Sequence, residues 1–278
     1  MSYEKLGEVS LNYRPCRYGE SRLLFRGPPR DLDGDYIAVL GGTDTYGKFI
    51  KAPYAQLIER ELDMECVNFG LLNAGADAFL HDNTVIKAAR NARVTVFQIT
   101  GAQNNSNRLY KVHPRRNDRF VKPSKLMQQM FRELDFTEFH FTRHLLQAVR
   151  KLAPDRYGFL REELRQAWIA RMTTLLPQIG GDIILLWFSD HMPEEDGDEH
   201  DPMFVTRDMV EKMRPLVSEV VEVVDTSATT FGVQEEPVLT EMETLAASCL
   251  LSPQAHEQAA KKLVLELQTV LEKQQRPA

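Results

Sequence analysis

The sequence predicts an α/β protein built around a parallel sheet. Two observations support this prediction. Short, strongly apolar segments alternate with segments of helical periodicity along the first hundred residues, and the apolar segments end at glycine-containing turns. Parallel strands need crossover connections, which are usually helices, so the alternation indicates a three-layer arrangement with right-handed crossovers.

The individual elements follow from these patterns in chain order. Apolar segments predict five strands, at residues 36–40, 66–69, 94–99, 182–188 and 220–224. Helical periodicity predicts helices at 54–62, around 85–89, at 206–217 and at 252–273. The last helix opens at Ser252-Pro253, a good pairing of a cap residue with a first-turn proline.

The chain divides into an irregular start and one large domain. Residues 1–34 are rich in Arg, Gly and Pro without sustained periodicity, and residues 35–278 form the predicted α/β domain. Residues 105–180 contain no convincing strand and show helical patterns at 124–134, 137–151 and 155–176. An insertion of this size at the carboxyl end of a sheet predicts a helical cap over the site.

The amino-acid composition limits the classes of function that this protein can have. A net charge of −6 argues against general nucleic-acid binding, and three widely spaced cysteines indicate neither a disulfide framework nor a zinc site. The start has no apolar signal core and no later run is long enough to cross a bilayer, so we expect a cytoplasmic protein. We expect no cofactor and no metal, and the oligomeric state stays open.

The loop after the first strand, Gly41-Gly42-Thr43-Asp44-Thr45-Tyr46-Gly47-Lys48, is where we expect the chemistry. Ligands of open α/β sheets sit outside the carboxyl ends of strands, and a glycine-rich turn exposes N–H groups there. The loop resembles the first block of SGNH (GDSL) hydrolases, Gly-Asp-Ser-x-Thr-x-Gly, with Thr43 at the serine position. It also satisfies the P-loop pattern G-x-x-x-x-G-K, although Phe49 stands where a Ser or Thr should hold magnesium.

Two further blocks extend the SGNH resemblance. Asn68-Phe69-Gly70 resembles the second block and Gly101-Ala102-Gln103-Asn104 the third, each directly after a predicted strand. The resemblance implies a five-stranded, flavodoxin-like fold and acyl transfer, with Thr43 as nucleophile and with Gly70 and Asn104 as oxyanion donors. The combination of GGTDTYG, GAQN and HPRRNDRF also resembles an uncharacterised bacterial family over nearly the whole chain, which supplies no activity.

The catalytic base departs from the SGNH pattern. Ser252-Pro253-Gln254-Ala255-His256 matches the start of the family's last helix, which would put the catalytic histidine near Leu250 and its aspartate near Ala247. His256 is then the best remaining base, without its usual orienting carboxylate. The acidic loop after the fourth strand carries Asp190, His191, His200 and Asp201, which would supply a substitute base or a hard-metal site unless the loop is merely solvated.

The predicted cap concentrates basic residues close to the Asn104 loop. We expect His140 and His144 on one helical face, four residues apart, with Arg143 beside it. Three interpretations stay open, namely an anion clamp, a metal site and structural salt bridges among packed aromatic rings. The candidate substrate-binding residues are Asp44, Lys48, Arg115, Arg116, Arg119, His140, Arg143 and His144.

Three hypotheses follow for function. The first is a hydrolase or acyltransferase acting on a small ester that is anionic or carbohydrate-derived. The second is a non-catalytic relative that binds an anion or a sugar acid with the oxyanion loops. The third is a nucleotide-dependent transferase in which Lys48 of the P-loop-like segment contacts a phosphate.

Overall fold

The computed structural model describes residues 11–193, 200–226 and 241–275. The five predicted strands form one parallel sheet, which confirms the predicted fold class. They are β1 (Tyr36–Gly41), β2 (Glu65–Gly70), β3 (Val94–Gln98), β6 (Ile183–Ser189) and β7 (Glu219–Val224). Their order across the sheet is β2-β1-β3-β6-β7. This order reverses direction between β1 and β3, and that reversal is where open α/β sheets bind their ligands.

Helices cover both faces of the sheet, so its strands read as continuous apolar runs. Every residue of β1, β3 and β6 is buried. One face packs against α2 (Tyr54–Leu62) and α10 (Pro253–Gln275). The opposite face packs against a larger core that includes α3 (Ala76–Leu80), α4 (Asn83–Asn91), α7 (Pro154–Ile179) and α8 (Arg207–Met213). The remaining helices are α1 (Thr43–Tyr46), α5 (Lys125–Met130), α6 (Thr142–Leu152) and α9 (Glu241–Ala247).

The region predicted to be purely helical contains a β-hairpin, so that expectation is wrong. Strands β4 (Tyr110–His113) and β5 (Arg116–Pro123) pair antiparallel, and the arginine-rich segment forms their turn and the first half of β5. The apolar members Tyr110, Val112 and Phe120 point into the core between exposed charged neighbours. The charge density of the segment hides this short alternation in the sequence.

The longest helix of this region packs against one face of the sheet as part of the three-layer fold, and it is not part of a cap. Helix α7 connects β3 to β6 as a crossover, and its Trp168 is fully buried in the main core. The Trp168 Nε1–H donates to the Thr100 carbonyl at 2.8 Å, which ties the helix to the end of β3. Residues 105–180 therefore do not form a separate helical lid. Helix α6 is the part of the region that reaches the site, through Thr142 and Arg143.

The described part of the N-terminal segment is irregular but attached to the domain. Cys16 and Phe25 form an isolated antiparallel bridge, and the Phe25 ring meets Phe69 edge-on in the core. Among the helices that the structure describes, none combines the length and the hydropathy that a membrane span requires.

Candidate functional site

A cavity of about 530 Å³ opens at the carboxyl ends of β1, β3 and β6, where the strand order reverses. Its walls come from the loops after β1, β2, β3 and β6, from α6 and from the segment between α9 and α10. The polar side chains that line it include Thr43, Asp44, Asn73, Asn104, Arg143, Asp190, His200 and Asp201. The cavity thus unites residues that are more than 150 positions apart in the sequence.

The loop after β1 is held by the side chain of Gln98, the last residue of β3. The Gln98 Oε1 accepts from the Gly42 N–H at 3.0 Å, the Thr45 N–H at 3.2 Å and the Thr45 hydroxyl at 2.5 Å. Three donors on one buried carbonyl oxygen fix the loop's backbone, because releasing any of them would leave a buried polar group unpaired. Thr43 is consequently presented at the first position of α1, facing the cavity.

The Thr43 hydroxyl contacts Asn73, not a base. It accepts from the Asn73 N–H at 3.0 Å and donates to the Asn73 Oδ1 at 3.3 Å. No acceptor for the Thr43 N–H exists among the described residues, which leaves this donor available beside the hydroxyl. A nucleophile and a backbone donor at one residue are two of the groups that acyl transfer requires.

Asn104 reaches the same cavity with a restrained carboxamide. Its Nδ2 donates to the Asn73 carbonyl at 3.0 Å, and its Oδ1 accepts from the Thr142 hydroxyl at 2.8 Å. Because an amide nitrogen carries two hydrogens, one N–H of Asn104 is left for a ligand. Thr43 and Asn104, predicted from separate sequence blocks, therefore line one cavity.

Gly70 does not supply the oxyanion donor that the resemblance implied. Its N–H donates to the Asn68 Oδ1 at 2.8 Å, and Gly70 is not among the residues that line the cavity. A Cβ at this position would lie 2.2 Å from the Tyr46 nitrogen. The glycine thus allows the end of β2 to approach the backbone of α1, which is a packing role.

His256 does not lie where a catalytic base is needed, so its predicted role is corrected. The ring is buried against Tyr54 and Phe188 and does not line the cavity. Its Nδ1 accepts from the Tyr54 N–H at 3.2 Å. Burial, with a smaller contribution from the charge of Arg26, lowers the pKa of His256 to about 3, so the imidazole stays neutral.

A different histidine faces the cavity beside a carboxylate. The His200 Nδ1 lies 2.7 Å from the Asp190 Oδ2, and both residues line the cavity. The His191 Nδ1 lies 2.9 Å from the other carboxylate oxygen, and this hydrogen bond is the main reason that the pKa of Asp190 lies below its ordinary value. An ionised Asp190 fixes the orientation of the His200 ring and leaves Nε2 as the nitrogen that can exchange a proton.

The described lining of the cavity is acidic. It carries the carboxylates of Asp44, Asp190 and Asp201, whereas its basic side chain, Arg143, binds the Asp201 Oδ2 at 2.6 Å. Burial, together with the nearby charge of Asp201, raises the pKa of the half-buried Asp44 to about 6. This electrostatic environment disfavours the anionic ligand predicted from the arginines.

The other predicted binding residues lie away from the cavity. The Lys48 ammonium sits over the rings of Tyr13 and Phe49, 5.1 and 4.5 Å from their centres. Arg115 lies in the turn of the hairpin and Arg116 begins β5. Both side chains are exposed, and the backbone N–H groups of both residues donate to the His113 Nδ1 at 3.2 Å. Of the eight candidates, Asp44 and Arg143 are the two that line the cavity.

The predicted pair of histidines on one helical face does not form. Helix α6 begins at Thr142, so His140 precedes it in an extended segment, where its carbonyl accepts from the Phe120 N–H. His144 packs its ring edge-on against Phe139. The Arg119 guanidinium covers the Phe141 ring at 4.7 Å. Within the described residues, no cluster of three or more His, Cys, Asp or Glu side chains is arranged to hold a metal ion.

A family model described as "Domain of unknown function (DUF6473)" matches residues 1–271. No curated protein matches the sequence.

Solved structures with an overall similarity were also found. The lipase Lip_vut3 from a goat rumen metagenome shares 13% identity at a TM-score of 0.41, covering 83% of this chain and 96% of the other. A lipolytic protein of the G-D-S-L family from Veillonella parvula shares 10% identity at a TM-score of 0.40, with 85% and 99% covered. A catalytic mutant of Axe2, an acetylxylan esterase from Geobacillus stearothermophilus, shares 15% identity at a TM-score of 0.39, with 84% and 94% covered.

Proposed function

The chain belongs to the DUF6473 family, and we propose that it is a hydrolase or acyltransferase that acts on small neutral esters such as acylated carbohydrates. One observation carries this proposal: Thr43 and the hydrogen-bonded pair Asp190–His200 line the same cavity at the strand-order reversal. The order of the sequence blocks after β1, β2 and β3 supports it. A neutral substrate suits the acidic lining better than an anion does.

In the proposed reaction, the Thr43 oxygen attacks the acyl carbon while His200 Nε2 accepts its proton. Asp190 stabilises the imidazolium through Nδ1. The Thr43 N–H and the remaining N–H of Asn104 donate to the oxyanion of the tetrahedral intermediate. The imidazolium then protonates the leaving alcohol, and water or a second alcohol releases the acyl group from Thr43 by the reverse steps.

The first step requires the Thr43 hydroxyl to exchange one partner. Its hydrogen now points to the Asn73 Oδ1 over a long 3.3 Å contact, on an exposed side chain. Giving up this weak contact costs little, because hydrogen bonds weaken steeply with length and water can replace the Asn73 contact. Substrate that fills the cavity would exclude the water that competes for the hydroxyl.

The test is hydrolysis of p-nitrophenyl acetate and of an acetylated methyl xyloside. Thr43→Val keeps the shape of the side chain and removes the hydroxyl, and His200→Ala removes the base. We expect each change to lower kcat/KM by about 10²- to 10⁴-fold. The matched control is His144→Ala, an exposed histidine outside the cavity, which should leave kcat/KM within about twofold. An unchanged kcat/KM of the Thr43→Val protein would reject the hypothesis that Thr43 is the nucleophile.

A non-catalytic sugar-binding relative is the second candidate, and the Asn73 contact of the Thr43 hydroxyl favours it. In that case, neutral sugars should raise the melting temperature without any hydrolysis, and Asp44→Ala or Asn104→Ala should abolish the effect. No contact of Lys48 with the described residues supports the hypothesis of a nucleotide-dependent transferase. The Lys48 ammonium contacts aromatic rings and does not line the cavity.

A further inference from the structure

A second cavity, of about 340 Å³, lies between the N-terminal segment, α2 and the edge strand β2. Four basic side chains line it, those of Arg14, Arg26, Arg30 and Lys51, against the single carboxylate of Glu59. The described lining therefore carries a charge of about +3 in a chain whose net charge is −6. The sign is opposite to that of the first cavity, so the two cavities would select different ligands.

Arg26 and Arg30 are the partly buried cations of this cavity, and Arg26 is held by backbone carbonyls. Its Nη1 donates to the carbonyls of Tyr46 and Gly47, and its Nη2 to those of Ile50 and Lys51, at distances of 2.5 to 3.3 Å. These partners are neutral, and burial lowers the pKa of the guanidinium. A partly buried charge whose hydrogen-bond partners are neutral dipoles is a favourable neighbour for an anion, because an opposite charge compensates its partial desolvation.

The one carboxylate of the lining is already occupied. Glu59 binds the Arg30 guanidinium with Oε1 and accepts from the Cys66 N–H at 3.0 Å with Oε2. Arg30 uses Nη2 for this ion pair, and a guanidinium has five N–H donors, so further donors remain for a ligand. Arg14 is exposed at the rim of the cavity.

We propose that this cavity binds a phosphate group, either as free phosphate or as part of a small phosphorylated molecule. Three arginines of the N-terminal segment, Arg14, Arg26 and Arg30, favour a multivalent anion over chloride. Arg26 ties the cavity to the loop of residues 46–51, directly after the helix that carries Thr43. Bound phosphate would therefore stabilise this loop. The site itself does not depend on the proposed hydrolase function.

The experiment is titration of the full chain with inorganic phosphate by calorimetry and by thermal shift, with sodium chloride holding the ionic strength constant. We expect saturable binding and a higher melting temperature. Arg14→Gln removes a charge at the rim of the cavity without touching Arg26, and it should weaken binding by about tenfold. The matched control Arg17→Gln changes an exposed arginine of the same segment that does not line the cavity, and it should weaken binding by less than about twofold.

The outcomes separate the possible sources of an effect. A sugar phosphate that binds more tightly than inorganic phosphate would identify a phosphorylated metabolite as the ligand. Equal weakening by Arg17→Gln would mean general charge attraction and overturn the site. A titration without heat or thermal shift would overturn it as well, whatever the ester assays give.

Discussion

Replacing Asp44 by asparagine should make the protein more stable at neutral pH. The Asp44 carboxylate lines the first cavity, where burial and the charge of Asp201 raise its pKa to about 6 from an ordinary 3.8. Folded protein thus holds the proton more tightly than unfolded protein does. Ionisation of Asp44 therefore destabilises the fold, by an amount that grows as the pH rises from about 4 to about 6 and is complete above pH 6.

The magnitude follows from the difference between the two pKa values. About 2 pH units at 1.36 kcal/mol each give an upper limit of about 3 kcal/mol for the cost of the charge. Solvent screens a partly buried group, and the Leu251 N–H and the Gln98 amide, each 3.5 Å from an Asp44 carboxylate oxygen, also favour the charged form. We therefore expect Asp44→Asn to raise the free energy of unfolding by about 1 to 2 kcal/mol at pH 8 and by less than about 0.5 kcal/mol at pH 4.

Urea denaturation followed by tryptophan fluorescence, at five pH values from 4 to 8, measures this difference. The matched control Asp33→Asn replaces an exposed carboxylate, and it should change the free energy of unfolding by less than about 0.5 kcal/mol throughout. A stabilisation by Asp44→Asn that does not depend on pH, or a loss of stability at pH 8, would refute the reasoning. Either result would mean that Asp44 is ionised at little cost.

Three further changes test the positions of particular side chains. Gln98→Met keeps the side-chain volume but removes the carbonyl oxygen that accepts three hydrogen bonds, so urea denaturation should show a loss of about 2 to 4 kcal/mol. Gly70→Ala places a Cβ 2.2 Å from the Tyr46 nitrogen, and the melting temperature should fall by several degrees. His256→Asn keeps an acceptor near the Tyr54 N–H but loses the ring, so stability should fall by about 2 to 3 kcal/mol while ester turnover stays unchanged.

Each change has a contradicting result and a control. Gln98→Glu keeps the acceptor oxygen, so at low pH it should lower the free energy of unfolding less than Gln98→Met does. Equal losses of unfolding free energy in the two variants would contradict the role of this oxygen. The control for Gly70→Ala is Gly158→Ala, where a Cβ meets open space on helix α7 and should not lower the melting temperature. A folded His256→Asn protein without turnover would restore His256 as the base.

The strands could be predicted because the central ones, β1, β3 and β6, are buried on both faces. Continuous apolar runs such as those at Ile183–Ser189 have few alternatives to a central parallel strand, and their spacing left room for crossover helices. The hairpin at residues 110–123 was missed, because one face of it is exposed and highly charged. In a short antiparallel pair the inward residues are too few to stand out.

The site residues likewise fall into a group that could be predicted from the sequence and a group that could not. Residues that directly follow strands, such as Thr43 and Asn104, could be placed at one edge of the sheet, since parallel strands end together. The pairing of Asp190 with His200 could not be predicted, because loop conformation decides which of several acidic and histidine side chains meet. The role of Gln98 in holding the loop after β1 could not be predicted, because the sequence pattern shows only that the residue lies at the end of a strand.

The sequence by itself determined the layers of this protein and the edge of the sheet at which its loops gather, because burial periodicity and strand direction are local properties. The tertiary structure alone decided which side chains face the cavity. In the folded protein, His256 and Lys48 pack against aromatic rings. The first cavity has an acidic lining, and basic residues line the second cavity. Side-chain direction depends on contacts between residues far apart in the chain, and such contacts exist only after the chain has folded.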